Sequence, residues 1–211
     1  KLSTTMGKIV MNTAENGDGG GLLINEDPVG DGAIPSYVLN LAGVVCENNQ
    51  ASGGNGGGIA LVGNVKSQAL ITMSDCNSNA APRGLGGMIY ASYAGLIQVN
   101  FTKITLNTAV QGGAAYLSSC ILQINGARNR KSQVMRNTAD FGGAIMAAEA
   151  GHLISTYADF LKNKKFSLKY YFLNKKIAID EHNLFLMKYK KLARIDFVIR
   201  HNKKTMVGLL S

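Results

Sequence analysis

The sequence predicts an all-β fold: a right-handed parallel β-helix of about five to six coils, followed by a basic C-terminal tail that is either helical or disordered. Three observations predict it. A short motif, Asn-x-Ala followed by a glycine pair, recurs along most of the chain, the segments between its copies are brief apolar runs, and the composition changes abruptly near residue 160.

The motif is clearest in Asn137-Thr138-Ala139-Asp140-Phe141-Gly142-Gly143-Ala144-Ile145. The other copies are Asn12/Ala14 with Gly20-Gly21, Asn49/Ala51 with Gly57-Gly58, Asn79/Ala81 with Gly86-Gly87, and Asn107/Ala109 with Gly112-Gly113. Three residues before each Asn stands an apolar residue, namely Ile9, Cys46, Cys76, Ile104 and Val134. A half-copy, Phe160-Leu161-Lys162-Asn163, begins on schedule and then lacks the Ala and the glycines. The Asn-to-Asn steps are 37, 30, 28, 30 and 26 residues. A repeat of that length is the mark of a solenoid or array rather than of one globular core.

The runs between motifs decide which solenoid. After each glycine pair comes a run such as Ile59-Ala60-Leu61-Val62 or Ala114-Ala115-Tyr116-Leu117; a second, such as Leu96-Ile97-Gln98-Val99, lies near mid-repeat; the third contains the apolar-x-x-Asn. Such runs are too short for helices and suit strands. Three strands per period make one coil of a parallel β-helix, in which each strand pairs with its equivalent about 4.8 Å along the axis.

Each part of the motif has a place in that geometry. The glycines allow positive φ and close backbone approach where the chain turns a corner, and the Ala fits inside a crowded bend. Asn12, Asn49, Asn79, Asn107, Asn137 and Asn163 are expected to stack as a ladder, each amide donating to the carbonyl of the next coil. The glycine pairs complete this set of structural positions.

Apolar-x-x-Asn-x-Ala followed by Gly-Gly-Ala-Ile resembles the paired repeat of the polymorphic outer membrane proteins of chlamydiae, and related right-handed β-helix repeats in large surface proteins of bacteria and protists. Val134 to Ile145 and Ile104 to Ala115 carry the resemblance best, and it extends from about Ile9 to Asn163. It implies a surface-exposed or secreted structural and adhesive passenger, in the outer membrane if bacterial, with no catalytic residue to carry over.

Charge divides the chain at residue 160. Residues 1–159 hold 9 Lys+Arg and 10 Asp+Glu, a net charge of −1, whereas 160–211 hold 13 and 3, a net charge of +10. The overall +9 belongs to the tail. The repeat region carries no basic stripe, so nucleic acid is not an expected partner; carbohydrate or a host or cell-surface protein is. Neither uncharged span, Leu85 to Asn100 or Val110 to Ala127, has the composition of a lipid-facing helix, and no transmembrane segment is expected.

Lys1 opens the chain without a signal peptide, and the first coil follows at once. Open strand edges need capping, so the expectation is a fragment of something longer. The longest insertion, Asn25 to Ser36, includes Glu26, Asp27 and Asp31. It reads as a solvated acidic loop, since its spacing matches no calcium loop. The Gly53–Gly58 run ends without Gly-Lys-Ser/Thr and is a corner, not a phosphate loop.

Cys46 and Cys76 occupy one motif position in adjacent coils, so a disulfide is conceivable and two buried thiols are the simpler reading; Cys120 falls outside the register. Asn100-Phe101-Thr102 is a glycosylation sequon. His152, His182 and His201 are scattered, and no metal or cofactor site is expected.

Two readings of the tail stand open, with a membrane-surface role for its basic face as a weaker third. Ile177 to Lys191 has the apolar residues for a basic amphipathic helix that would cap the solenoid. Alternatively, its Lys, Asn, Ile, Phe and Tyr richness reflects read-through beyond the true end of the repeats, because the break falls inside a motif.

The functional expectation is a non-catalytic structural and adhesive segment of a larger cell-surface or secreted protein. The alternative is a piece of a β-helix polysaccharide lyase or hydrolase, which needs clustered carboxylates along one groove. Asp75 and Asp140 lie at different offsets from their asparagines, four before and three after, and are not expected to converge. Tyr90 and Tyr116 share a register and read as a small aromatic ladder, exposed or buried, with core packing the favoured role.

Overall fold

Alternation of apolar and polar side chains over three to five residues, repeated once per coil, builds a parallel β-solenoid. The computed structural model describes residues 1–26, 37–63 and 66–164, with the backbone of three further strands at Ile177–Asp180, Ile195–His201 and Lys204–Leu210. No helix occurs among the described residues.

Each coil has four strand segments, one more than the sequence predicts. The first wall stacks Leu22–Asn25, Ile59–Val62, Ile89–Ser92, Ala115–Ser118 and Ile145–Ala148 in parallel register. The second stacks Leu2–Thr5, Val38–Ala42, Gln68–Thr72, Leu96–Asn100, Ile121–Asn125 and His152–Thr156. These two walls belong to one sheet, because Ile89–Asn100 and Ala115–Asn125 run through both. The third wall carries the apolar residue before each Asn and stacks six strands, from Lys8–Val10 through Asp75–Asn77 to Ala158–Leu161. The fourth is the Asn-x-Ala segment itself, from Thr13–Ala14 to Thr138–Phe141, whose strands are as short as two residues and so escape any periodicity.

Six rungs in the third wall leave four with a neighbour on both sides, and about four turns are complete. That is roughly consistent with the expected five to six: the first rung has no preceding partner among the described residues, and the continuous described stretch ends at Lys164. The half-copy at Phe160 does form a rung, pairing with Val134 in register. Ile177–Asp180 is a strand that pairs with His152–Thr156, so it is not the opening of a helix; the rest of Ile177 to Lys191 lies outside the described residues.

Inward side chains of the first three walls form one continuous core of Leu39, Ile59, Ile71, Ile97, Ile104, Leu122 and their neighbours, most of them fully buried. The corners are set by left-handed backbone. At the corner between the fourth and first walls this residue is glycine in every coil, as in Gly112 with φ 66°. At the corner between the third and fourth walls it is Met11, Asn48, Ser78, Leu106, Arg136 or Lys162, all with φ between 54 and 60°. Non-glycine residues visit this region at a cost, and here stacked neighbours above and below hold them in it.

Candidate functional site

The motif asparagines form the polar axis of the fold. The amides of Asn49, Asn79, Asn107 and Asn137 are used completely. The Asn79 side-chain Oδ1 accepts from the Asn49 backbone N–H at 3.1 Å and from Asn49 Nδ2 at 2.9 Å. Its Nδ2 donates forward to Asn107 Oδ1 at 3.0 Å and back to the Cys46 carbonyl at 2.9 Å. The ladder runs from Asn12 to Asn163, with Nδ2 to Oδ1 distances of 2.8 to 3.0 Å. Asn49, Asn79, Asn107 and Asn137 are wholly buried.

The glycine pairs follow a register that corrects the sequence alignment. Backbone hydrogen bonds join Gly20 to Gly56, Gly57 to Gly86, Gly87 to Gly112 and Gly113 to Gly142. The equivalent pairs are therefore Gly19-Gly20, Gly56-Gly57, Gly86-Gly87, Gly112-Gly113 and Gly142-Gly143. In the first two coils the glycine triplet hid a shift of one. Gly21 and Gly58 stand one place later, where later coils have Met88, Ala114 and Ala144. Absence of a side chain at Gly58 leaves room for the Met88 sulfur, which a Cβ there would approach to 2.5 Å.

A second ladder was missed in the sequence. Ser74 Oγ, Thr102 Oγ1 and Ser132 Oγ accept from the backbone N–H of Val44, Ser74 and Thr102 at 3.1, 3.3 and 3.2 Å. Their hydroxyls donate to the carbonyls of Thr72, Asn100 and Asn125. The signal was present, since each lies five residues before a motif asparagine. Thr102 is wholly buried by this role, and Asn100 Oδ1 accepts from Asn125 Nδ2 at 3.0 Å, so the sequon spans the end of a strand and the corner after it, with both its Asn and its Thr hydrogen-bonded.

Cys46 and Cys76 are register partners with free thiols, both buried. A hydrogen bond with the Cys46 thiol, followed by burial, pushes the Cys76 thiol well above its ordinary range. Cys120 pairs opposite Gly95 and is likewise a free buried thiol, its pKa pushed up to about 12 by burial.

The acids of the repeat region are dispersed. Asp75 lies on the third wall and Asp140, exposed, on the fourth. Among the described residues no group of three or more His, Cys, Asp and Glu side chains is placed to hold a metal ion. Residues 27–36, with Asp27 and Asp31, lie outside the described residues. Glu149, fully exposed, accepts from the Ser118 and Ser119 hydroxyls at 2.7 and 3.1 Å, which lowers its carboxyl pKa.

Tyr90 and Tyr116 do not enter the core. They stand half-buried on the outward face of the first wall, with ring centroids 5.9 Å apart and planes inclined by 20°. Their outward side belongs to the most uniform surface of the molecule. No Asp, Glu, Lys or Arg occurs at any outward position of the described strands of the first and second walls. The third wall differs, presenting Lys8, Glu47, Asp75, Lys103 and Asp159. On the second wall Gln98 Nε2 donates to Gln123 Oε1 at 3.0 Å, beside the Asn100 and Asn125 pair.

At the corner between the second and third walls a tight hairpin closes with mutual backbone hydrogen bonds between Ala127 and Arg130. It places the Arg130 guanidinium 5.8 Å from the centre of the Phe101 ring, and Lys131 pairs with Asp159 at 2.9 Å.

Comparison with protein-family models, with curated proteins and with solved structures finds no match. No helix among the described residues is long and apolar enough to cross a membrane.

Proposed function

We propose that the chain is a structural and adhesive segment of a larger cell-surface or secreted protein, as the resemblance to the polymorphic outer membrane protein repeat implies. One observation carries the reading: the invariant polar residues of the motif are consumed internally. Every hydrogen-bonding group of the buried Asn79 and Asn107 amides is engaged within the ladder, so the repeated chemistry builds a rod and leaves contact with partners to the outer walls. Solenoids of this kind present extended surfaces along their length. Carbohydrate or a cell-surface protein is the corresponding partner class.

Antibodies raised against the purified chain test the placement. Labelling of intact source cells is the expected result. Labelling that appears only after permeabilisation overturns the reading.

A further inference from the structure

Charge is missing from one side of the rod. Charged residues make up 17% of the chain, yet they occupy no outward position in the six second-wall strands from Leu2–Thr5 to His152–Thr156 or in the five strands of the first wall. Charged residues flank the second wall: Glu149 and Lys66 at its corner with the first wall, and Arg130 and Lys131 at its corner with the third. An ordinary solvated sheet face mixes both signs of charge, as the third wall of this molecule does.

The face is also ordered in advance. Gln98 and Gln123 hold each other's amides, as do Asn100 and Asn125, on neighbouring rungs about 4.8 Å apart. Each amide has further hydrogen-bonding capacity than the one bond it makes to its neighbour. Beside these pairs stand exposed aliphatic side chains, Ile121 two residues before Gln123 on its strand and Ile154 opposite Gln123 on the next rung, each 38% accessible. A patch of paired amides bordered by aliphatic side chains matches a partner that repeats, carries hydroxyls and apolar C–H surface, and has no charge. Binding such a partner strips no ion of its hydration and orders few side chains.

We propose that the outward face of the second wall binds a neutral polysaccharide lying along the sheet. The proposal rests on the adhesive part of the preceding reading. A second copy of this chain fits the face less well. Six strands at about 4.8 Å and five residues at about 3.3 Å give a face of about 500 Å². Two such faces would bury about 1,000 Å² in total, below the roughly 1,200–2,000 Å² of a stable interface.

The test is co-sedimentation of the purified full chain with insoluble cellulose, chitin and β-1,3-glucan, compared with acidic polysaccharide beads. The chain is expected to be retained on at least one neutral polymer and not on the acidic one. Gln123→Lys and Ile121→Lys, each folded by circular dichroism, should weaken retention about tenfold or more, corresponding to about 1.4 kcal/mol. Thr105→Lys, on the outward side of the third wall, should leave it unchanged. Absence of retention on all three neutral polymers overturns the proposal, as does equal loss in Thr105→Lys. Sedimentation velocity showing a dimer that Gln123→Lys dissociates assigns the face to a second copy and overturns it as well. Retention by a chain that antibodies find only inside cells refutes the cell-surface reading and leaves the face intact.

Discussion

Asn79 gives both of its forward donors to a single atom: its backbone N–H and its Nδ2 reach Asn107 Oδ1 at 2.9 and 3.0 Å. One oxygen thus joins two coils through main chain and side chain together. Removing it strands two buried donors at once, and the Cys76 carbonyl loses the Asn107 Nδ2 that reaches it at 3.2 Å. A buried polar group left unpaired costs about 1–3 kcal/mol. Asn107→Ala should therefore cost roughly 3 kcal/mol or more by urea denaturation. Asn12→Ala, at the exposed first rung with one side-chain bond, should cost less than about 1 kcal/mol. Similar losses in the two variants would refute the ladder as a main support of the stack.

The glycine columns make a second contrast. A Cβ on Gly113 would meet the Gly143 carbonyl oxygen at 2.3 Å and the Thr138 oxygen at 2.7 Å, both backbone atoms that cannot swing aside. Gly113→Ala must separate two rungs and should cost roughly 3 kcal/mol. Gly17 has nothing within 4 Å of the same position. Gly17→Ala should change stability by no more than about 0.5 kcal/mol, in the stabilising direction if at all. Thermal melts of the two variants side by side decide the matter.

The periodic parts of this fold were legible because a parallel solenoid writes its register into the spacing of its least replaceable residues. Asn79 to Asn107 can be aligned by eye, and so can the Cys46 and Cys76 pair. What was not legible falls where neighbouring coils override local preference. Met73, Tyr93, Phe101 and Leu106 adopt left-handed backbone that their residue types disfavour, so nothing in the sequence announces those corners. The hydroxyl ladder was obscured because its places in other coils are taken by Val44 and Ala158. The shared register of Tyr90 and Tyr116 leaves their face undecided, because successive strand residues point to opposite sides of the sheet. Charge exclusion on the second wall is a property of three outward columns running across its six strands, and no single stretch of sequence displays it.

Burial of Cys120 links stability to alkaline pH. Its thiol ionises at about 12 in the fold, against an ordinary value of 9.0 in the unfolded chain. Between those values the unfolded state has released a proton that the folded state retains, so stability falls as pH rises, by up to about 1.4 kcal/mol per unit. Below pH 9.0 the contribution is fully present. The urea midpoint should hold steady from neutral pH to that point and decline above it. Cys120→Ala should flatten the decline, leaving the share due to Cys76 and to Tyr37, whose pKa burial also raises. An unchanged slope in Cys120→Ala would remove the thiol from this account.

Leu106 offers the reverse experiment, a substitution that should strengthen the fold. Its backbone stands at φ 60°, and its side chain is 49% exposed, so it combines backbone strain with little burial. Asn48 occupies the same corner two coils earlier at φ 54°, showing that the column accommodates an asparagine. Asparagine tolerates left-handed backbone far better than leucine, and the replacement adds no flexibility to the unfolded chain as glycine would. The Leu106 N–H that donates to the Met135 carbonyl at 3.2 Å is kept. Leu106→Asn should therefore raise stability by about 0.5–1 kcal/mol, part of the roughly 1–2 kcal/mol that the left-handed conformation costs an ordinary residue. A midpoint that falls instead would mean that the exposed leucine contributes more by packing along the corner than its backbone loses.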